Sequence, residues 1–201
     1  MGRMGVKPPC LPLATGQTVQ HSGEKDDGYY EKGVSRRYVV LDSGQYSGSE
    51  DIVLNAKTHT LSNNCVIDKR TGLMWTRYVP TADIGPDNNG RLYWKEGADV
   101  EGIFRYKAKV KAARIGGHSG WRIPNLFELL SITDCSVSPP IDGTAFPSTP
   151  EVYHWTSTTA QNATTYALVI NFVNFPGVGA QEKATYKAYC RLVRGPLGGE
   201  I

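Results

Sequence analysis

The stretch Asp68-Lys69-Arg70-Thr71-Gly72-Leu73-Met74-Trp75 sets a tight turn directly against an apolar run. Asp and Thr bring side-chain oxygens that bond nearby backbone, and Gly brings freedom at positive φ, so residues 68–72 read as a turn. On either side, 61–68 and 71–77 carry the β-branched and aromatic residues of strands. The stretch therefore predicts two strands folded back on each other, and an antiparallel sheet becomes the working frame.

Outward from this pair, short strands are expected at 37–42 and 51–54 on the N-terminal side and at 152–158, 165–174 and 184–193 on the C-terminal side. Between them lie a polar loop at 80–90 and a proline-rich loop at 139–150. A helix is expected between about 93 and 115, where Ala98, Val100, Ile103, Phe104, Ala108, Ala112 and Ile115 recur near the 3.6-residue period, with an irregularity at Gly102. A second, shorter helix starts at Asn125. That residue and Glu128 have the spacing of a capping box, followed by Leu129, Leu130 and Ile132, with Leu126 and Phe127 as further apolar positions. Strands, two helices and strands again, without βαβ alternation, indicate an α+β fold with a mostly antiparallel sheet.

The division expected is an extended N-terminal arm over 1–34, one domain over 35–196 and a tail over 197–201. The arm is broken by Pro8, Pro9, Pro12, Gly16, Gly23 and Gly28, and it mixes acid and base. It offers too little apolar surface to offset its own ordering entropy, so it is expected to order against another subunit, docking through Pro8, Pro9, Leu11, Tyr29 and Tyr30. At 40% hydrophobic and 20% charged residues the chain is globular in composition. A formal charge of +3 is too small to imply nucleic acid, and no apolar run is long enough to cross a membrane. The first residues also lack the apolar stretch of a secretory signal, so release without the usual export route is expected.

Cys10, Cys65, Cys135 and Cys190 are too far apart for a zinc finger or a Cys-x-x-Cys redox site. They are either buried free thiols or structural disulfides of any of the three possible pairings. The histidines His21, His59, His118 and His154 lack metal-ligand spacing. Asp83, Asp87, Asn88 and Asn89 read as a polar turn rather than a calcium loop. No metal and no cofactor is expected.

Several strings together resemble one family. They are Asp68 to Trp75, Trp94-x-x-x-Ala98, Gly120-Trp121-Arg122-Ile123-Pro124-Asn125-x-x-Glu128-Leu129, Tyr153-His154-Trp155-Thr156-Ser157-Thr158 and Cys190-Arg191-Leu192-Val193-Arg194. Their order and spacing over about 60–194 are similar to the C-terminal domain of the Legionella collagen-like protein. The resemblance implies a C-type-lectin-like fold, a twisted antiparallel sheet with two helices and long loops. It also implies a binding role, since the type member contributes to adhesion to sulfated polysaccharides. The chain carries no collagen-like Gly-x-y tract, so trimerisation by that route is not implied. The Trp-Arg-Ile-Pro-Asn string also resembles the formylglycine-generating branch of lectin-like folds, whose active members use a close cysteine pair; here Cys190 has no near neighbour.

Trp75, Trp94, Trp121 and Trp155 are assigned to the core, with sugar stacking as the alternative, and Arg122 to a structural pair with Glu128. Two stretches are candidate contact surfaces. Lys107, Lys109, Lys111 and Arg114 lie in a run free of acid, and Lys107, Lys111 and Arg114 form one stripe if the helix continues; anionic glycan is the expected ligand. Asn171, Phe172, Asn174 and Phe175 form a second candidate, an adaptable loop, with a buried hairpin turn as the equal alternative. No nucleophile motif or local acid–base pair stands out, so the chain is expected not to be an enzyme. The leading functional expectation is a structural or binding module of a bacteriophage virion, a decoration or tail receptor-binding protein docked by its arm and touching host surface glycan. The alternative is a bacterial cell-surface or extracellular adhesin, or a fimbria-associated module, that binds anionic polysaccharide.

Overall fold

The turn at 68–72 forms as its residues dictate. The Asp68 carboxylate accepts from the Arg70 amide at 2.9 Å and from the Thr71 hydroxyl at 2.7 Å. Its carbonyl accepts from the Gly72 amide at 2.9 Å, and Gly72 takes φ of 71°, a conformation that favours glycine. The computed structural model that shows this describes residues 38–41, 49–54, 57–62, 64–80, 89–95, 102–173 and 176–195, with the backbone alone at 49–54 and 57–61. The arm at 1–34, with Pro8, Pro9, Leu11, Tyr29 and Tyr30, and the tail at 197–201 lie outside the described residues.

The described elements run β1 (Tyr38–Leu41), β2 (Ser49–Leu54), β3 (Lys57–Ser62), β4 (Cys65–Asp68), β5 (Leu73–Thr76), β6 (Leu92–Tyr93), α1 (Ile103–Ala113), α2 (Leu126–Ser131), β7 (Tyr153–Ala160), β8 (Ala163–Asn171), β9 (Gly177–Glu182), β10 (Lys187–Ala188) and β11 (Val193–Arg194). A four-stranded sheet has the order β1-β4-β5-β11 and a three-stranded sheet the order β7-β8-β9. The ribbon β6-β10 and the hairpin β2-β3 complete the pairings, all antiparallel. The architecture is mixed α and β, with mostly antiparallel sheets and two helices.

Period-2 alternation explains why β5 is buried at every position. Val66 pairs with Trp75, and both enter one core cluster with Leu73, Leu129, Ile132, Phe146, Ile170 and Phe172. Met74, on the opposite face, enters the other cluster with Cys65, Ile103, Tyr106, Val110, Trp121, Trp155 and Val169. The central sheet therefore separates two cores, α1 contributing to one and α2 to the other.

Three expectations need correction. The helix begins at Ile103, not near 93, and Tyr93 instead belongs to a strand. Gly102 marks its start: a Cβ there would collide with the Lys95 carbonyl, and Tyr93 forms a β-bridge to Gly102. The strand expected at 61–68 is divided between β3 and β4. The strand expected at 184–193 is split into β10 and β11, after a turn in which the Thr185 hydroxyl bonds the Glu182 carboxylate at 2.6 Å. Before that turn lies β9, whose glycines hide its pattern. Gly179 is needed there because a Cβ would press on the Tyr153 ring at 3.3 Å.

Candidate binding face

The motif residues first define what is scaffold. Trp75, Trp121 and Trp155 are buried, and Trp121 and Trp155 donate their indole N–H to the carbonyls of Ile115 (2.9 Å) and Leu92 (2.7 Å). Asn125 caps α2 by accepting from the Glu128 amide at 2.9 Å, while Glu128 accepts from the Asn125 amide at 2.8 Å. Glu128 is at the same time gripped by both terminal nitrogens of Arg122, at 2.6 and 2.7 Å. Burial alone would push the Glu128 carboxyl up; the Arg122 hydrogen bonds, the Asn125 amide and the Arg122 charge outweigh it and hold it below the usual range. The Arg122 hydrogen bond to Glu128 raises the guanidinium in turn. Arg122 also bridges Val193 through its backbone, so this constellation ties α2 to β11.

A second tie, unseen in the sequence, is Arg191. It is buried, yet it donates to the carbonyls of Thr76 (2.7 Å) and Arg77 (2.6 Å) and to the Thr149 hydroxyl (2.9 Å), with Phe146 under the guanidinium at 4.8 Å. Burial lowers its pKa to about 10. His154 is buried beside Phe172 and Tyr189, with Nδ1 3.0 Å from the Val152 carbonyl and no hydrogen-bond partner for Nε2 among the described residues. Burial and then the Arg191 charge lower it to about 3, so it is neutral at physiological pH. Cys65 and Cys190 share one core cluster, where burial pushes both thiols up to about 12, and Cys135 is exposed; none of the three forms a disulfide among the described residues. Among the described residues no group of His, Cys, Asp and Glu is arranged to hold a metal.

The expected contact residues fare differently. Phe172 is fully buried, its ring edge-on to His154 at 4.8 Å, so it belongs to the core rather than to a contact loop. Asn171 is half-buried with its side-chain oxygen on the Val173 amide at 3.1 Å; Asn174 and Phe175 lie outside the described residues. The basic stripe is shorter than expected. Lys107, Lys109 and Lys111 stand on α1, but the helix ends at Ala113. Arg114 turns left-handed at φ 54° and folds its guanidinium onto the Gly117 carbonyl at 3.3 Å.

The richer cationic surface assembles around β6. Lys187 faces Tyr93 in the β6-β10 register and sets its ammonium 5.3 Å from that ring, while Lys95 reaches the same ring at 5.0 Å. The next residue, Trp94, meets Phe104 edge to face at 4.6 Å and carries the Lys183 ammonium 4.6 Å from its ring. Lys107 lies 5.0 Å from Phe104. Lys183 is held there by the Thr159 hydroxyl (2.9 Å) and the Thr164 carbonyl (2.8 Å). Arg91 stands 6.0 Å from the Tyr189 ring, and Tyr189 is fixed by its hydroxyl on the Asn89 carbonyl at 2.7 Å. Each cation–aromatic contact contributes about 0.5–1 kcal/mol at an exposed site, modest in energy but enough to position a charge. Beside this band opens a surface cleft of about 150 Å³ walled by Arg91, Lys187, Tyr153, Tyr186, Asn171 and Glu151.

The family model of the Lcl C-terminal domain matches residues 64–194, which span β4 to β11 and the whole cationic band. The chain belongs to the Lcl C-terminal domain family. No curated protein and no solved structure matches the chain. The family is that of a surface or structural module of collagen-like proteins, found on surface or extracellular proteins. In this Lcl-type domain the family strings fall mainly on the interior: the turn at 68–72, the capping box, the Arg122–Glu128 pair and the buried tryptophans. No described helix is long and apolar enough to cross a membrane.

Proposed function

We propose that this Lcl-type domain is a non-catalytic binding module, on a C-type-lectin-like scaffold, that holds an anionic polysaccharide of a cell surface. The observation carrying the proposal is the convergence of Lys95, Lys107, Lys183 and Lys187 on the rings of Tyr93, Trp94 and Phe104. Stacking fixes each charge where it attracts sulfate or carboxylate groups spaced along a polymer. The buried ionisable groups that enzymes commonly exploit, His154, Cys190 and Arg191, sit in the interior instead and line no part of the cleft. A second reading, display on a bacteriophage virion, draws on the arm-like composition of residues 1–34 and is tested by whether the chain co-purifies with particles in fixed stoichiometry.

The test is binding of the full chain to immobilised heparin and to neutral dextran across a salt series. The chain is retained on heparin at low salt and released as ionic strength rises, and it is not retained on dextran at any salt. Equal retention on both matrices, or none on heparin at low salt, overturns the proposal.

A further inference from the structure

The cleft beside the cationic band has chemistry of its own. Arg91 lines one wall, and its guanidinium makes no hydrogen bond or ion pair with the described residues. Glu151 lines the cleft as well, and it too is unpaired. Arg91 and Lys187 thus set positive charge, and Glu151 negative charge, on the walls of one small cleft, which suits a ligand carrying an anionic group beside hydroxyls. Tyr153 and Tyr186 line the same cleft, ring centroids 6.0 Å apart and nearly edge to face. Asn171 spends its side-chain oxygen on the Val173 amide, which leaves its amide N–H pair directed to neither backbone nor side chain among the described residues.

We propose that this cleft binds a single uronate-type sugar, a pyranose bearing a carboxylate. This rests on the polysaccharide reading above and names the unit that the same surface recognises. The carboxylate pairs with the Arg91 fork, which matches its two oxygens better than a lysine can. The apolar face of the ring packs on the tyrosines, and ring hydroxyls donate to Glu151 and accept from Asn171. Size supports one unit rather than several: about 150 Å³ is roughly half the lower end of the 300–1,000 Å³ typical of pockets for drug-sized ligands. A neutral hexose offers nothing to Arg91, so the site discriminates by charge and not by shape alone.

The experiment is a titration of the isotopically labelled full chain with methyl glucuronide, followed by amide correlation spectra, with methyl glucoside as the neutral probe. Saturable shifts are expected at the amides of Tyr153, Asn171, Tyr186 and Lys187 with the glucuronide and not with the glucoside. Arg91→Gln weakens the glucuronide by about tenfold or more, and Arg91→Lys, which keeps the charge without the fork, falls between the two. Unchanged amide dispersion shows that both variants fold. Shifts that the glucoside reproduces, shifts that persist in full in either folded variant, or no saturable shift in the wild type overturn the inference. The two readings separate cleanly: loss of heparin binding in the wild-type chain with an intact glucuronide titration sinks only the polymer reading.

Discussion

Replacing Arg191 by Met tests how the interior is held. Met preserves much of the volume but removes the donors that serve the Thr76 and Arg77 carbonyls and the Thr149 hydroxyl. A buried charge carries a desolvation cost, so its removal has a favourable side. Its partners here are neutral acceptors, and each buried acceptor left unsatisfied costs about 1–3 kcal/mol. With the Arg191 donors gone from the buried Thr76 carbonyl, the part-buried Arg77 carbonyl and the Thr149 hydroxyl, the loss wins, and a net destabilisation of about 3–5 kcal/mol is expected. For a chain of this size that is a fall in Tm of about 10–15 °C. The assay is urea unfolding followed by the fluorescence of the buried tryptophans, reading the midpoint at constant slope. Arg191→Lys keeps the charge, cannot serve three divergent acceptors, and falls between wild type and Met. A loss below about 1 kcal/mol for Arg191→Met refutes the reasoning, because it means the carbonyls find other partners at no cost.

Other expectations follow from the same interior. The folded pKa of His154 is about 3, below the ordinary 6.5, so stability is complete above pH 6.5. It then falls by about 1.4 kcal/mol per pH unit as the unfolded chain alone takes up the proton. Urea midpoints at pH 7 and pH 5 measure this, and His154→Phe flattens the difference. Glu128→Ala removes the capping box and the Arg122 ion pair, at a cost of about 1–2 kcal/mol in the urea midpoint. Because the Glu128 carboxyl is held low in the folded state, its contribution is present at neutral pH and lost as pH falls through that lowered value. Of the three described cysteines, Cys135 alone is modified by a thiol reagent in the native state, and Cys65 and Cys190 react only after unfolding, as peptide mapping will show.

What the sequence made legible was local. The Asp68 to Gly72 turn, the Asn125–Glu128 box and the Arg122–Glu128 pair each lie within a few residues, where side-chain chemistry fixes the backbone. The helix start was misplaced because apolar spacing continues upstream of Gly102, and only the tertiary approach of Lys95 shows that the glycine begins the helix. Strand β9 went unread since Gly177 and Gly179 replace the β-branched residues that mark strands, one of them to make room for Tyr153. Phe172 stands among asparagines just past the end of β8, yet its ring packs on His154 in the core. Conversely Phe127, an apolar position in the helix pattern, is 80% exposed. The cationic band was invisible for a different reason. Its cations come from 91–95, 107 and 183–187, and only the β6-β10 pairing and the Trp94–Phe104 contact bring them together.

Location is therefore the sharpest question, and heparin affinity in two triple variants answers it. Lys95→Gln with Lys183→Gln and Lys187→Gln strips the band around β6, while Lys109→Gln with Lys111→Gln and Arg114→Gln removes the same charge from α1 and its end. The account predicts about tenfold or greater weakening, and a shallower salt dependence, in the first variant and less than about threefold in the second. Equal losses in both, or a larger loss in the second, contradict it.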